Sequence, residues 1–251
     1  MMRAPGWLTA RPVAHRGLHD RAHGVIENMP GAISAAVAGN FSIEIDLQLS
    51  ADGEAMVHHD HRLGRLTIGE GALLDKTAAE LKQVRFKDTD ERMMTLGDLC
   101  ALVGGRVALV IELKSHFDGD RRVVARTIEI LKSYRGPAAV MSFDPDKVLA
   151  LRQMMPELPR GIVAQRRYDD GEWLTLTPAQ RRGMLQLRHA FSTRPHFVAY
   201  SVNQLPAPAP WIARHLFGCA LLTWTVRTPE QRDIAAAHAD QMIFEGFRPD
   251  T

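Results

Sequence analysis

The chain predicts one α/β domain, a (β/α)8 TIM barrel with an insertion after the second strand, and three observations carry that prediction. Eight short, β-branched or aliphatic runs recur from one end to the other. Amphipathic segments rich in alanine and leucine separate them, the pattern of strand-helix units around a parallel sheet. The length, 251 residues and 28.0 kDa, suits a single barrel and makes residues 1–251 one domain.

Taken in order, strands are expected at 11–15, 42–49, 106–114, 138–142, 161–165, 197–201, 220–226 and 241–245. Helices fall between them, at 29–39, 95–103, 119–134, 144–155, 178–191, 209–217 and 229–238. Several begin on side chains that cap a first turn: Thr95 before Leu96-Gly97-Asp98, Asp144 before Pro145, and Thr228 before Pro229-Glu230. One connection breaks the rhythm. Residues 50–94 are far longer than an ordinary loop and contain the strand-like run Ala55-Met56-Val57-His58-His59-Asp60, and insertions of that length are usually functional. A shorter excursion, 166–177, reads equally as a variable surface loop or a substrate lid.

Composition narrows the function classes. With 45% hydrophobic and 24% charged residues the chain is an ordinary globular one, and a net charge of +2 includes no basic tract of the kind that grips nucleic acid. A small anionic partner fits better. Cys100 and Cys219 have no metal or redox spacing and are expected as buried thiols in a reducing compartment. Residues 1–10 contain no export signal and no later run is long enough for a membrane span, so a cytoplasmic protein without stable membrane insertion is expected.

The chemistry-bearing residues sit where charge is costly. Glu44 and Asp46 in one expected strand, and Glu112 and Lys114 in the next, each share a face by the two-residue repeat, flanked by aliphatic residues pointing the other way. With His15 they lie near strand ends, and the carboxyl ends of barrel strands form the active face. Three carboxylates without cysteine favour a hard divalent cation, Mg²⁺ or Ca²⁺, over zinc. The alternative is that each acid pairs with a buried lysine or arginine. Arg16-Gly17 offers fixed donors for a phosphate or carboxylate on a turn that admits close approach. In His58-His59-Asp60 one imidazole should point inward and one outward, and Asp60 could orient either. The other histidines, His19, His23, His61, His116, His189, His196, His215 and His238, read as surface or helix positions, and Arg166-Arg167 and Arg181-Arg182 as solvated faces. Two imidazoles beside a cation suit displacement of an alcohol from a phosphodiester, which needs a base, an acid and charge neutralisation.

These residues, quoted as Ala14-His15-Arg16-Gly17, Glu27-Asn28, Glu44-Ile45-Asp46-Leu47-Gln48-Leu49, Asp52-Gly53, His59-Asp60, Leu63, Arg65, Thr67, Thr95-Leu96, Ile111-Glu112-Leu113-Lys114, Ser142-Phe143-Asp144 and Thr223-Trp224-Thr225-Val226, resemble the glycerophosphodiester phosphodiesterase family nearly end to end. The resemblance implies that His15 and His59 are the acid/base pair, that Glu44, Asp46 and Glu112 bind the cation, and that Arg16 and Lys114 hold the phosphate. It also implies that Trp224 walls the glycerol side, that Asp60 orients its neighbour, and that Glu27 and Asn28 shape the rim. The implied reaction is hydrolysis of a glycerophosphodiester to glycerol 3-phosphate and an alcohol, in many members by way of a cyclic phosphate. The chain departs from the family pattern at Gly64, at Met94, and at Phe244-Glu245-Gly246-Phe247, which stands in place of a Thr-Asp-Arg-Pro-like ending at the barrel mouth and bears on substrate shape. Tyr200-Ser201-Val202-Asn203 is a further candidate wall. Two rival readings are a lysophospholipase D-like enzyme acting on a lipid, and a barrel that binds a ligand without turnover. A zinc amidohydrolase is disfavoured by the lack of a His-x-His pair on the first strand.

Overall fold

A computed structural model describes residues 2–169 and 171–249. Eight parallel strands close a barrel: β1 (Val13–Ala14), β2 (Ser42–Leu49), β4 (Leu109–Leu113), β5 (Ala138–Ser142), β6 (Arg160–Ala164), β7 (Phe197–Ser201), β8 (Ala220–Val226) and β9 (Gln241–Phe244). Pairing of β1 with both β2 and β9 completes the circle. The remaining strand, β3 (Ala55–Val57), lies in the insertion and pairs antiparallel with the end of β2. Helices among the described residues are α1 (Pro30–Ala38), α2 (Ala78–Gln83), α3 (Leu96–Val103), α4 (Arg122–Leu131), α5 (Pro145–Met154), α6 (Pro178–Leu185), α7 (Ala190–Thr193), α8 (Pro208–His215) and α9 (Pro229–His238). None is long and apolar enough to cross a membrane.

The two-residue repeat sorts each strand's side chains between two cores. Ile43, Ile45 and Leu47, with Leu109, Ile111 and Leu113, pack outward against the helices. Their alternates face the barrel axis, where Val110, Ala139, Met141, Val163, Phe197 and Ile243 fill the lower part together with Leu8 from the amino-terminal segment. Phe197 can cross that space only because its neighbour on β6 is Gly161: a Cβ there would stand 2.3 Å from the ring. Apolar filling leaves the upper, carboxyl end of the axis to Glu44, Asp46 and Glu112.

Several boundaries differ from expectation. The first strand shrinks to two residues, because Arg16 and Gly17 turn sharply with φ of 56° and 80°. The segment expected as one helix over 178–191 divides into α6 and α7, since Leu187 takes a left-handed φ of 52° that a helix cannot propagate. Within the insertion, α2 carries a reciprocal cap that the expectation overlooked, with the Thr77 hydroxyl accepting from the Glu80 N–H and the Glu80 carboxylate from that of Thr77. Cys100 and Cys219 are buried, and burial raises both thiols to about 11.

Candidate active site

Strand register brings the acids together. Asp46 stands beside Glu112 in the β2–β4 ladder, Glu44 lies one repeat below on the same face, and oxygen atoms of all three approach within 4.8 Å of one another. All three are buried. Two cationic side chains answer them unevenly. Lys114 Nζ lies 2.8 Å from Asp46 Oδ1 and 2.7 Å from Glu112 Oε1. Arg16 directs Nη1 to Glu27 Oε1 at 2.6 Å, and its Nε lies 3.2 Å from Asp46 Oδ2 without hydrogen-bond alignment. Among the described residues Glu44 accepts one hydrogen bond, from the Arg16 backbone N–H at 3.1 Å, and His15 Nε2 stands 3.9 Å away.

The electrostatics follow from that asymmetry. Burial favours the protonated acid at Asp46, but Lys114 and Arg16 outweigh it and hold that carboxyl well below the usual range. At Glu44, burial together with the charges of Asp46 and Glu112 pushes the carboxyl well above its ordinary value, and burial raises Glu112 as well. Three buried carboxylates, one of them without a cationic side-chain partner, are an all-oxygen donor set suited to a hard divalent ion. The alternative, in which each acid has its own lysine or arginine, does not describe this cluster: Asp46 and Glu112 share Lys114, and Glu44 has no lysine or arginine side chain within ion-pair distance among the described residues.

Both imidazoles singled out above line one cavity of about 390 Å³ at the carboxyl end of the barrel, together with Arg16, Glu44, Glu112, Lys114 and Trp224. Each has its own carboxylate. His15 Nδ1 lies 2.7 Å from Glu245 Oε2, and His59 Nδ1 lies 2.8 Å from Asp60 Oδ1. Burial lowers His15 to about 4, against the opposing pull of the Glu245 hydrogen bond, so the ring is neutral at pH 7. Hydrogen bonds from His15 and Arg227 overcome burial to hold Glu245 at about 2. A neutral ring beside an ionised carboxylate carries its proton on Nδ1, which leaves the Nε2 lone pair free on the Glu44 side.

His58 and His59, just beyond β3, point in different directions. His58 turns away, buried against the Phe86 ring at 6.2 Å within the insertion's core, and burial lowers it to about 4. His59 faces the cavity, and its carbonyl accepts from Gln48 Nε2 at 2.7 Å. Asp60 also accepts from Arg65 Nε at 2.6 Å, and Arg65 in turn binds Glu27, which ties the insertion to the Arg16 turn.

Some expectations need correction. Asn28 is not on the rim but buried beneath the site, where a left-handed φ of 60° lets its Nδ2 donate to Asp46 Oδ2 at 3.0 Å. His61, expected at the surface, lines the cavity and stacks on His116 with ring centroids 4.0 Å apart. His196 is buried and His19 half-buried, with His19 Nε2 4.0 Å from Glu245 Oε1. Of the 200–203 segment, Ser201 and Asn203 reach the cavity whereas Tyr200 and Val202 pack into the core. The 166–177 excursion is not merely a surface loop: it delivers Trp173, which continues a strip of rings through Phe143 at 5.0 Å to Trp224 at 5.7 Å, with Phe117 on its other side at 5.9 Å. Glu245 was read in the sequence only as an altered ending. Its position just after the last strand, which pairs with the first once the barrel closes, is the signal that could have pointed to His15.

The chain is similar to known proteins. Residues 15–247 match the model of the glycerophosphoryl diester phosphodiesterase family. A glycerophosphodiester phosphodiesterase of Caldanaerobacter subterraneus subsp. tengcongensis is 33% identical over 61% of this chain and 66% of its own length, and human glycerophosphodiester phosphodiesterase 1 is 26% identical over 56% and 45%. The matched part therefore spans less than two thirds of either relative. Among solved structures, a phosphodiesterase of Oleispira antarctica in complex with the product sn-glycerol-3-phosphate superposes with a TM-score of 0.73 at 20% identity, covering 93% of this chain and 91% of its own. That likeness is one of fold.

Proposed function

The chain belongs to the glycerophosphoryl diester phosphodiesterase family, and on that footing we propose that it is a phosphoric diester hydrolase that converts glycerophosphodiesters to glycerol 3-phosphate and an alcohol with the aid of a divalent cation, Mg²⁺ or Ca²⁺. One observation carries this reading: two imidazoles, each braced by its own carboxylate, share a cavity with a buried cluster of three acids. The product bound by the Oleispira structure is the one this reaction would release.

In this reading Glu44, Asp46 and Glu112 hold the cation, which supplies positive charge against the phosphoryl oxygens as negative charge builds there. Lys114 and Arg16 add fixed cationic donors on the same side. His15, neutral with its Nε2 lone pair toward the acids, accepts the proton of the attacking oxygen, and Glu245 stabilises the imidazolium that forms. His59, oriented by Asp60, donates a proton to the leaving alcohol. Trp224 and the ring strip wall the cavity beside these groups.

The test is a panel of soluble diesters, glycerophosphocholine first, assayed after chelation and refilling with single metals. Turnover should vanish on chelation, return with Mg²⁺ or Ca²⁺, and vanish in His59→Ala with the circular dichroism spectrum unchanged. Substantial activity in that variant refutes the assignment. The aromatic strip is the observation behind the lysophospholipase D-like alternative, since it gives the cavity an apolar wall on which an acyl chain could lie; a higher kcat/KM on micellar lysophospholipid than on glycerophosphocholine would select it.

A further inference from the structure

At the end of the barrel opposite the cavity, where β6, β7 and β8 begin, the surface inverts the usual rule. Helix α8 buries Pro210 and Ala213 and turns Trp211, Ile212, His215 and Leu216 outward. Trp211 is 53% exposed and Leu216 66%. Phe217, just beyond the helix, meets Phe191 of α7, itself 73% exposed, with ring centroids 6.2 Å apart. Contiguous exposed aromatic and aliphatic side chains of this kind mark a contact surface.

The stretch of chain that forms this patch carries charge of one sign, although Arg214 of α8 pairs with Asp240 and Arg188 shares a recess with Asp144 and Asp146. From residue 173 to 229 the chain contains six arginines and no aspartate or glutamate. Arg188 and Arg194, both exposed, stand three residues either side of Phe191. The backbone after Phe191 gathers two more. Arg152 donates to the Ser192 carbonyl, and the guanidinium of Arg160, only 1% exposed, donates to the carbonyls of Thr193 at 2.8 Å and Arg194 at 2.9 Å. Arg152, Arg160 and Arg194 line one recess with Met2, Leu149 and Pro156, and none of the three ion-pairs with a carboxylate among the described residues. Burial and the charges of Arg152 and Arg194 pull Arg160 down to about 10, the cost of arginines assembled without a counter-ion.

We propose that this face, the outward side of α7 and α8 with Arg152, Arg188 and Arg194, is a docking surface for an anionic phospholipid bilayer. Aromatic side chains settle at the headgroup boundary and guanidinium groups bind lipid phosphates, the two components that interfacial attachment combines. A second copy of the chain fits the same surface less well, because a two-fold contact through it would bring Arg152, Arg188 and Arg194 of one copy against the same arginines of the other, and none of these ion-pairs with a carboxylate among the described residues. The inference does not depend on the proposed reaction.

Cosedimentation of the full chain with large unilamellar vesicles tests it. Vesicles of equal parts phosphatidylglycerol and phosphatidylcholine should bind the protein, phosphatidylcholine alone should not, and raised salt should weaken the binding. Arg188→Glu with Arg194→Glu should reduce partition at least ~20-fold, at roughly fivefold for each arginine removed. Phe191→Ser with Leu216→Ser should reduce it separately, and all these exposed positions should leave the thermal unfolding midpoint within a few degrees of wild type. Absence of binding, equal binding to both vesicles, or indifference to the variants overturns the proposal. So does a concentration-dependent dimer that Phe191→Ser abolishes, or binding to polyglutamate without partition to vesicles.

Discussion

Replacing Glu245 by glutamine isolates the charge behind His15. The amide can still accept from Nδ1–H, so the ring keeps its orientation, but the imidazolium formed during turnover loses an ionic partner that stood at 2.7 Å. A hydrogen bond to a charged group is worth about 1.5–3 kcal/mol and a neutral one about 0.5–1.5. The difference, about 1–2 kcal/mol, slows the chemical step by roughly 5- to 30-fold. Because the interaction strengthens only as His15 gains its proton, kcat should carry most of the loss while KM stays within about threefold of wild type. A second readout separates this from simple misfolding. Glu245 raises the affinity of His15 for a proton, so its removal should move the acidic limb of the pH–rate profile to lower pH. Steady-state kinetics on glycerophosphocholine from pH 9 down to about pH 3, below the His15 value of about 4, measure both. A variant with kcat within twofold of wild type and an unmoved limb refutes the role given to Glu245.

Three other outcomes follow from the same structure. Glu44→Gln should weaken cation binding, measured by calorimetry, yet leave metal-free stability unchanged or higher, because it removes a like charge from a buried cluster; a loss of stability in EDTA would contradict that. His58 and His189 are both lowered to about 4 by burial. Their folded values lie below the unfolded 6.5, so the stability they contribute is complete above pH 6.5 and is lost as pH falls toward 4, by up to about 3 kcal/mol for each; urea midpoints across that window should fall, and His189→Leu should flatten the decline. Gly161→Ala would press a methyl group into the Phe197 ring and should cost about 1–3 kcal/mol in denaturant unfolding, with cation affinity unaltered.

Much of the site was legible because its components are local. Glu44 and Asp46 two residues apart, or Glu112 beside Lys114, declare a shared face by spacing alone, and the aliphatic residues between them declare a strand. What depended on closure of the barrel was not. Nothing near His15 in the sequence announces Glu245, which pairs with it across a separation of 230 positions. Trp173 sits in a stretch with no periodic signal, and its place among the rings comes from the packing of Tyr168 and Phe143 around it. Asn28 looked like a rim residue because its left-handed backbone, which sends the side chain under Asp46, has no signature in composition. The break between α6 and α7 was missed for the same reason.

The seam between β1 and β9 joins the first and last strands of the barrel, and the His15–Glu245 pair spans it. A chain still on the ribosome, with its last strand inside the exit tunnel, has no assembled centre however well its first two hundred residues have folded. For the proposed reaction synthesis would thus be its own safeguard, since the His15–Glu245 pair forms only when the circle shuts.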